Sequence, residues 1–384
     1  MGEEMRKILL FLVFLATVLT LNLAFAAGET VLLSPGDKFP NLALPDQLEK
    51  QDKEYLGIKI PFFSFMQEDT FKLDEVKAEL LFIEFFNKYC TSCQRQAPVN
   101  NEIYKCINSD NDLKNRVKFI GIGVGNSKRE LDFFKSDKTI PFPLIPDPEF
   151  MGYEEIGDPG GTPYMLLVKK TDSGFIVFSS HMGINKDKDF FVKEIKEALI
   201  TDDSKLEEIK KTAGLKNKKR KLRLNMSEEE IVNIVKASIG KSVKNNFTPE
   251  KIITTKLNEV DGLYVSKVYL NDKQETFYSK ILSRKPICDV CHGIHFIVTF
   301  DIKGFIRDIH AIHLTKYGNE VWTEEEINIV NHKLVGKKIS ENIQYNYEVD
   351  SVTTATITTS LMYNSIKRLT PLVKQVKQLK VFSK

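Results

Sequence analysis

An uninterrupted apolar run that ends in two cysteines constrains this chain more than any other feature. Leu80 to Pro98 reads LLFIEFFNKYCTSCQRQAP. Its first seven residues have the length and composition of a strand buried on both faces, and the run breaks at Asn87 and Lys88. A strand therefore delivers Cys90 and Cys93 to a helix start, where unpaired N–H groups and the positive end of the helix dipole stabilise the thiolate of the first cysteine. Cys90 reads as the nucleophile and as the exposed thiol. Cys93, one helical turn on, is placed to attack a mixed disulfide at Cys90 and release the product. Glu84 stands inside the apolar strand, six residues before Cys90. A carboxylate there is costly unless it serves as a proton acceptor. Pro98 is expected to kink the helix, and Gly161-Thr162-Pro163 precedes a further apolar strand over 164–168.

These features together resemble the thioredoxin family: a buried acid, C-x-x-C, a helix proline, and a Thr-Pro whose peptide bond is cis in that family and lies against the cysteines. Gly183 also matches the pattern. The resemblance covers residues 31–200. The opening GDKFPNLALP and the long segment between Cys93 and Pro163 are similar to exported thioredoxin-like proteins of the TlpA type. It implies an α/β thioredoxin-like domain, thiol-disulfide oxidoreductase activity carried by Cys90, Cys93, Glu84 and Pro163, client proteins with disulfides, and a membrane or periplasmic electron donor. Tyr89 stands where a Trp is usual. A thiol peroxidase of the peroxiredoxin type is the competing reading, set back because the Pro and Thr that such enzymes carry upstream of the reactive Cys are absent from Phe85-Phe86-Asn87-Lys88-Tyr89.

The N-terminus reads as an export signal: Arg6 and Lys7, an apolar run over 8–25, and the small-x-small site Ala24-Phe25-Ala26. The chain is thus expected in the periplasm or cell envelope, where disulfides persist, and an uncleaved run of this length would anchor it. A length of 384 residues, 42% of them hydrophobic, allows two domains. Fifty-five basic against 52 acidic residues give no field that would attract nucleic acid. The basic stretch over 210–223 reads as a linker, so the division is a signal peptide over 1–26, the thioredoxin-like domain over 27–202, the linker over 203–226 and a smaller α+β domain over 227–384. Before the linker, a strand over 117–124, a helix over 128–135, a proline-punctuated loop over 141–148, a hairpin turn at Gly174 and a closing helix over 190–200 are expected. Cys106, beside Ile103 and Ile107, reads as a core residue, and His181 and His332 as lone surface residues.

The C-terminal half opens on the capping box Ser227 to Glu230 before a helix over 231–239. Strands over 262–270 and 277–282, a hairpin over 295–314 around Asp301-Ile302-Lys303-Gly304, and a second capped helix from Thr323 to Gly336 follow. Six of the eight positions from Thr353 to Ser360 carry hydroxyls, leading into an amphipathic helix over 361–369. A hydroxyl-rich helix start is either a phosphate site or an elaborate cap. The pattern D-x-x-T-x-A-T-x-T-T-S over 350–360 resembles the FMN-binding domain shared by the sodium-pumping quinone reductase and the Rnf electron-transfer complex. The resemblance implies an FMN site at Thr353, Thr354, Thr356, Thr358 and Ser360, with Thr356 at the position that carries FMN through a phosphoester, and Thr354 where that family prefers Gly. Cys288-Asp289-Val290-Cys291-His292 satisfies the c-type haem pattern, set behind a redox or structural disulfide, with a Cys288, Cys291, His292 metal site third. With a two-residue turn at Ile302-Lys303, His295 would face His310 and His292 would face His313. The reading that joins both halves is an exported thiol-disulfide oxidoreductase whose flavin domain relays electrons. A c-type haem protein and an Rnf-like electron-transfer protein are the alternatives.

Overall fold

The computed structural model describes residues 32–60, 69–203, 205–206, 222, 224–243, 249–258, 260–270, 273–288, 293–341 and 343–382. The export signal and nearly all of the basic linker lie outside the described residues. Two compact units are present, one of Thr30–Arg220 with the short segment Pro286–Cys291, the other of the remaining C-terminal chain.

The first unit follows the chain order β1 (Lys38–Phe39), β2 (Ala43–Pro45), α1 (Lys50–Leu56), β3 (Thr70–Lys72), β4 (Leu80–Phe86), α2 (Thr91–Ser109), β5 (Val117–Val124), α3 (Lys128–Asp137), β6 (Leu144–Asp147), α4 (Met151–Glu155), β7 (Tyr164–Thr171), β8 (Gly174–Met182) and α5 (Lys188–Ile200). Six strands form one sheet in the order β1-β8-β7-β4-β5-β6. β4 pairs in parallel with β5 and antiparallel with β7. All seven of its residues are buried, as its unbroken apolar run requires, because the strand is central and helices cover the sheet. Phe82 stacks on Phe119 of β5 at 4.5 Å and meets Phe191 of α5 edge-on at 5.4 Å. Where α3 closes over β5, Gly123 leaves no room for a side chain: a Cβ there would stand 2.5 Å from Leu131 Cδ2.

The segment expected as a proline-rich loop over 141–148 contains a strand instead. β6 pairs with β5 as the edge of the sheet, with Pro146 opposite Gly123. An edge tolerates a residue without an N–H, since no neighbour beyond it needs that donor. Cys106 is only half-buried rather than core. Ile103 and Ile107 take the inward face of α2, and position 106 falls on its shoulder.

The second unit contains α6 (Glu228–Val243), β9 (Lys251–Leu257), β10 (Leu263–Leu270), β11 (Lys273–Arg284), β12 (Ile294–Asp301), β13 (Ile306–His313), α7 (Glu324–Leu334), α8 (Tyr347–Asp350), α9 (Thr356–Lys367) and α10 (Thr370–Phe382). Its five strands form an antiparallel meander in sequence order, with β9 an edge that the apolar pattern did not disclose. Ile231, Val235, Ile239 and Val243, at successive i, i+4 spacings on α6, pack against Tyr264, Val268, Phe277 and Ile297 of the sheet. Both expected capping boxes form, Ser227 with Glu230 and Thr323 with Glu326.

The β12–β13 turn departs from the two-residue form. Asp301 Oδ1 accepts from the Lys303 and Phe305 N–H groups at 2.8 and 3.0 Å, and the ladder carries two irregularities. The register is therefore shifted: His295 faces His313 and His310 faces Ile297. His292 lies outside the described residues. The last Thr-rich stretch also differs from expectation, because helix α9 begins at Thr356 and is buried all round from Thr358 to Ile366 instead of being amphipathic.

Candidate active site

Three chain segments converge on the cysteines. The first is the β4–α2 corner, fixed by Asn87: its Nδ2 donates to the Val124 carbonyl at 2.7 Å and its Oδ1 accepts from the Tyr89 N–H at 2.8 Å. Asn126 Oδ1 takes the Lys88 N–H at 2.9 Å. These bonds hold the chain as it leaves the sheet, so that α2 starts with Cys90 in the N-cap position. A capping residue aims its side chain at the first-turn N–H groups, and Cys90 Sγ accepts from the Cys93 N–H at 3.4 Å.

The second segment is the loop before β7. The Thr162–Pro163 bond is cis, and the Cys90 thiol donates to the Thr162 carbonyl at 3.4 Å. Tyr153, fully buried on α4, bonds both sides of Gly161 through its hydroxyl, donating to the carbonyl at 2.9 Å and accepting from the N–H at 2.8 Å. Asp147 at the end of β6 accepts from the Tyr153 N–H at 3.0 Å and so fixes α4. Burial pushes its carboxyl up to about 6. Neither Tyr153 nor Asp147 carries a motif, and only the partners that the fold brings to them reveal their part in placing Pro163.

The third segment holds Pro286, Ile287 and Cys288, and its Cys288 is buried and hydrogen-bonded to Cys90. Cys90 itself is 1% exposed. The expectation of an exposed nucleophile is thus corrected: Cys288, the Thr162 carbonyl and the first turn of α2 surround the sulfur. Cys291 and His292, the other members of the haem and metal patterns, lie outside the described residues. Among the described residues no cluster of three or more His, Cys, Asp and Glu could hold a metal ion.

Electrostatics separate the two thiols. Cys90 is held well below the ordinary thiol range by the Cys288 hydrogen bond first, then by Cys93 and its backbone N–H. Cys93 is pushed well above it, by burial first, then by its hydrogen bond to Cys90 and by the Cys90 charge. A low-pKa attacking thiol beside a protonated partner is the division that disulfide exchange needs. Glu84 is buried in β4, with its carboxyl raised to about 8 by desolvation, while the neighbouring Asn100 amide pulls the other way. Its Oε1 has no hydrogen-bond partner among the described residues. An orphaned buried carboxyl oxygen close enough to Cys93 to raise that thiol is a proton acceptor in waiting. His181, expected to be a lone surface residue, bonds Glu194 at 2.8 Å and packs edge-on against Phe190 and Phe191.

The hydroxyl cluster of the second unit divides into two groups. Thr353 and Thr354 are exposed and Thr356, the first residue of α9, is half-buried. Ala355 stands at the N-cap of that helix and makes no side-chain cap bond. Thr354 sits at φ 62, the left-handed region that favours glycine. That is the backbone which a Gly at this position would serve. Thr358 and Ser360 point into the protein: both are buried, and the Thr358 hydroxyl donates to the Thr315 carbonyl at 2.7 Å. Thr353, Thr354 and Thr356 thus stay accessible at the helix start, whereas the burial of Thr358 and Ser360 departs from the expectation for them.

The sheet order, the Cys90–Cys93 helix start and the cis proline beside it define the first unit as a thioredoxin-like α/β domain. No protein family profile and no curated protein matches the chain. Solved structures similar to it include a candidate thiol:disulfide interchange protein DsbE from Chlorobium tepidum, 20% identical with a TM-score of 0.33, covering 44% of this chain and 99% of that one. A candidate protein disulfide isomerase from Bacteroides thetaiotaomicron is 15% identical with a TM-score of 0.34, covering 45% and 95%. The thioredoxin domain of a thiol-disulfide oxidoreductase from Bacteroides vulgatus is 11% identical with a TM-score of 0.32, covering 43% and 99%.

Proposed function

We propose that the protein is an exported thiol-disulfide oxidoreductase. The observation that carries this reading is the pair of oppositely shifted thiols at the start of α2, with the buried Glu84 beside them. Cys90 attacks one sulfur of a client disulfide and forms a mixed disulfide. Cys93 gives its proton to Glu84, attacks Cys90 Sγ, and releases the client as a dithiol. Electron flow in the opposite sense uses the same groups. The clients are proteins with disulfides, and a periplasmic or membrane donor returns the Cys90–Cys93 pair to its working state.

The second half of the reading is an FMN held by the C-terminal unit, its phosphate at the α9 N-terminus and Thr356 the residue esterified. The left-handed Thr354 and the helix start without a side-chain cap support it. A bound flavin supplies conversion between one-electron and two-electron donors, which a dithiol alone lacks. Both halves are tested on one preparation, co-expressed with a flavin transferase. The reduced full chain should reduce the disulfides of insulin, and Cys90→Ser should lose this entirely. The denatured protein should keep yellow fluorescence in a gel, and Thr356→Ala should lose it. Flavin released on denaturation from a yellow native protein would mean binding without the bond. A colourless protein that also fails to take up added FMN refutes the flavin half, and insulin left intact refutes the thiol half.

A further inference from the structure

The C-terminal half of the sequence sends one cysteine into the thioredoxin-like unit, and it arrives at one atom. Pro286, Ile287 and Cys288 belong to that unit, although the strands on either side of them, β11 and β12, do not. Within it Cys288 is 3% exposed and its thiol is hydrogen-bonded to Cys90, which is 1% exposed. Cys106, the other free thiol described, has no such position and is half-buried on the outer shoulder of α2. A thiol hydrogen-bonded to Cys90 Sγ stands where the sulfur of an incoming substrate must stand, since exchange proceeds by attack of one sulfur on another.

We infer that Cys288 is a third redox thiol of this centre, the internal exchange partner of Cys90. The inference rests on the thiol-disulfide reading above and names a partner for it within the chain. In the oxidised centre, Cys288 loses its proton and attacks Cys90 Sγ. The Cys90–Cys93 bond breaks, its electron pair leaves on Cys93 Sγ, and Cys93 takes up a proton. A Cys90–Cys288 disulfide forms, with no net oxidation and no further reactant. The reverse attack by Cys93 on Cys90 frees Cys288. Cys288 thus occupies the place of a client sulfur when no client is bound, and it competes with clients for Cys90.

The test uses the full chain with Cys93→Ser, in which a Cys90–Cys288 link has no resolving thiol. The reduced protein is exposed to excess diamide as oxidant in about 0.1 mM reduced glutathione, whose thiol competes with Cys288 for activated Cys90, then blocked with N-ethylmaleimide and digested without reduction for mass mapping. A thiol held beside its target has an effective concentration of at least about 1 mM, so the internal link should exceed the Cys90–glutathione adduct roughly tenfold. Because Cys288 and Cys291 fall in one tryptic peptide, the link must persist when Cys291→Ser is added. It must vanish with Cys288→Ser and equally with Cys288→Ala, leaving the glutathione adduct at Cys90. A link that survives loss of Cys288, or a Cys90 fully glutathionylated while Cys288 carries maleimide, overturns the inference and leaves the oxidoreductase reading standing. A Cys90 that forms neither product overturns both.

Discussion

In the Cys93→Ser, Cys288→Ser variant, Cys90 should become a trap. Both thiols that could displace a client from Cys90 are removed, while a serine hydroxyl keeps a hydrogen-bond donor at each of the two positions and the α2 N-terminus and the cis Thr162–Pro163 loop are untouched. Release of a mixed disulfide then depends on thiols from solution. Losing an attacking group held one helical turn away should slow release by roughly 10³-fold or more. Periplasmic extract passed over the variant should yield adducts that run as a ladder on non-reducing gels and collapse with dithiothreitol. Adding Cys90→Ser should empty the ladder. A ladder that persists without Cys90, or equal trapping through Cys106, would assign the nucleophile wrongly.

Replacing Glu84 by Gln should separate the two halves of the exchange. The carboxyl is raised to about 8 by desolvation, so at neutral pH it is mostly protonated and its carboxylate fraction grows as pH rises. As the base for the Cys93 thiol, it should make client release accelerate with pH up to about 8, and Glu84→Gln should abolish that rise and slow release by about 10²-fold at pH 8. Capture by Cys90 should be nearly unchanged, because Cys90 is already ionised. Stability carries the same signature with a definite sign. Folded Glu84 keeps its proton between about 4.5 and about 8 while the unfolded chain gives it up, so unfolding becomes easier as pH rises through that window. The loss is at most about 5 kcal/mol. Cys90 has the opposite slope when reduced, so urea melts belong on the disulfide form, in which neither cysteine titrates. Glu84→Gln should flatten the decline between pH 5 and 8. A wild-type rate of release at every pH would leave Glu84 as a structural residue.

The sequence disclosed this site unevenly, and the reasons are physical. β4 and β5 could be read to the residue because a strand buried on both faces admits no polar position except a purposeful one, which is also why Glu84 stood out. The Cys90 cap follows from a strand breaking at Asn87 into a helix, a local event. β6 was hidden because prolines forbid central strands but not edges, and the sequence does not say where the sheet ends. Tyr153 and Asp147 act through bonds to Gly161 and α4 that exist only once the sheet has formed. Cys90's burial was missed for the same reason: its cover includes Cys288, a residue of the other half of the chain. On the C-terminal side, one extra turn residue and two ladder irregularities moved every histidine pairing, since register is set by turn geometry and not by composition. Thr354 shows the converse. A departure from the FMN-domain pattern at that position coincides with a backbone that would suit the missing glycine.

The central claim is that Cys90 and Cys93 form a reversible two-electron couple, and equilibrium with glutathione tests it most directly. The full chain is brought to equilibrium in stepped ratios of reduced to oxidised glutathione, quenched with acid, alkylated and mapped by mass. A thiolate stabilised at Cys90 favours the reduced pair, so the two cysteines should convert together between dithiol and disulfide, with a midpoint more positive than about −270 mV. Two cysteines that stay reduced across the whole series, or that acquire glutathione independently of each other, would contradict the account.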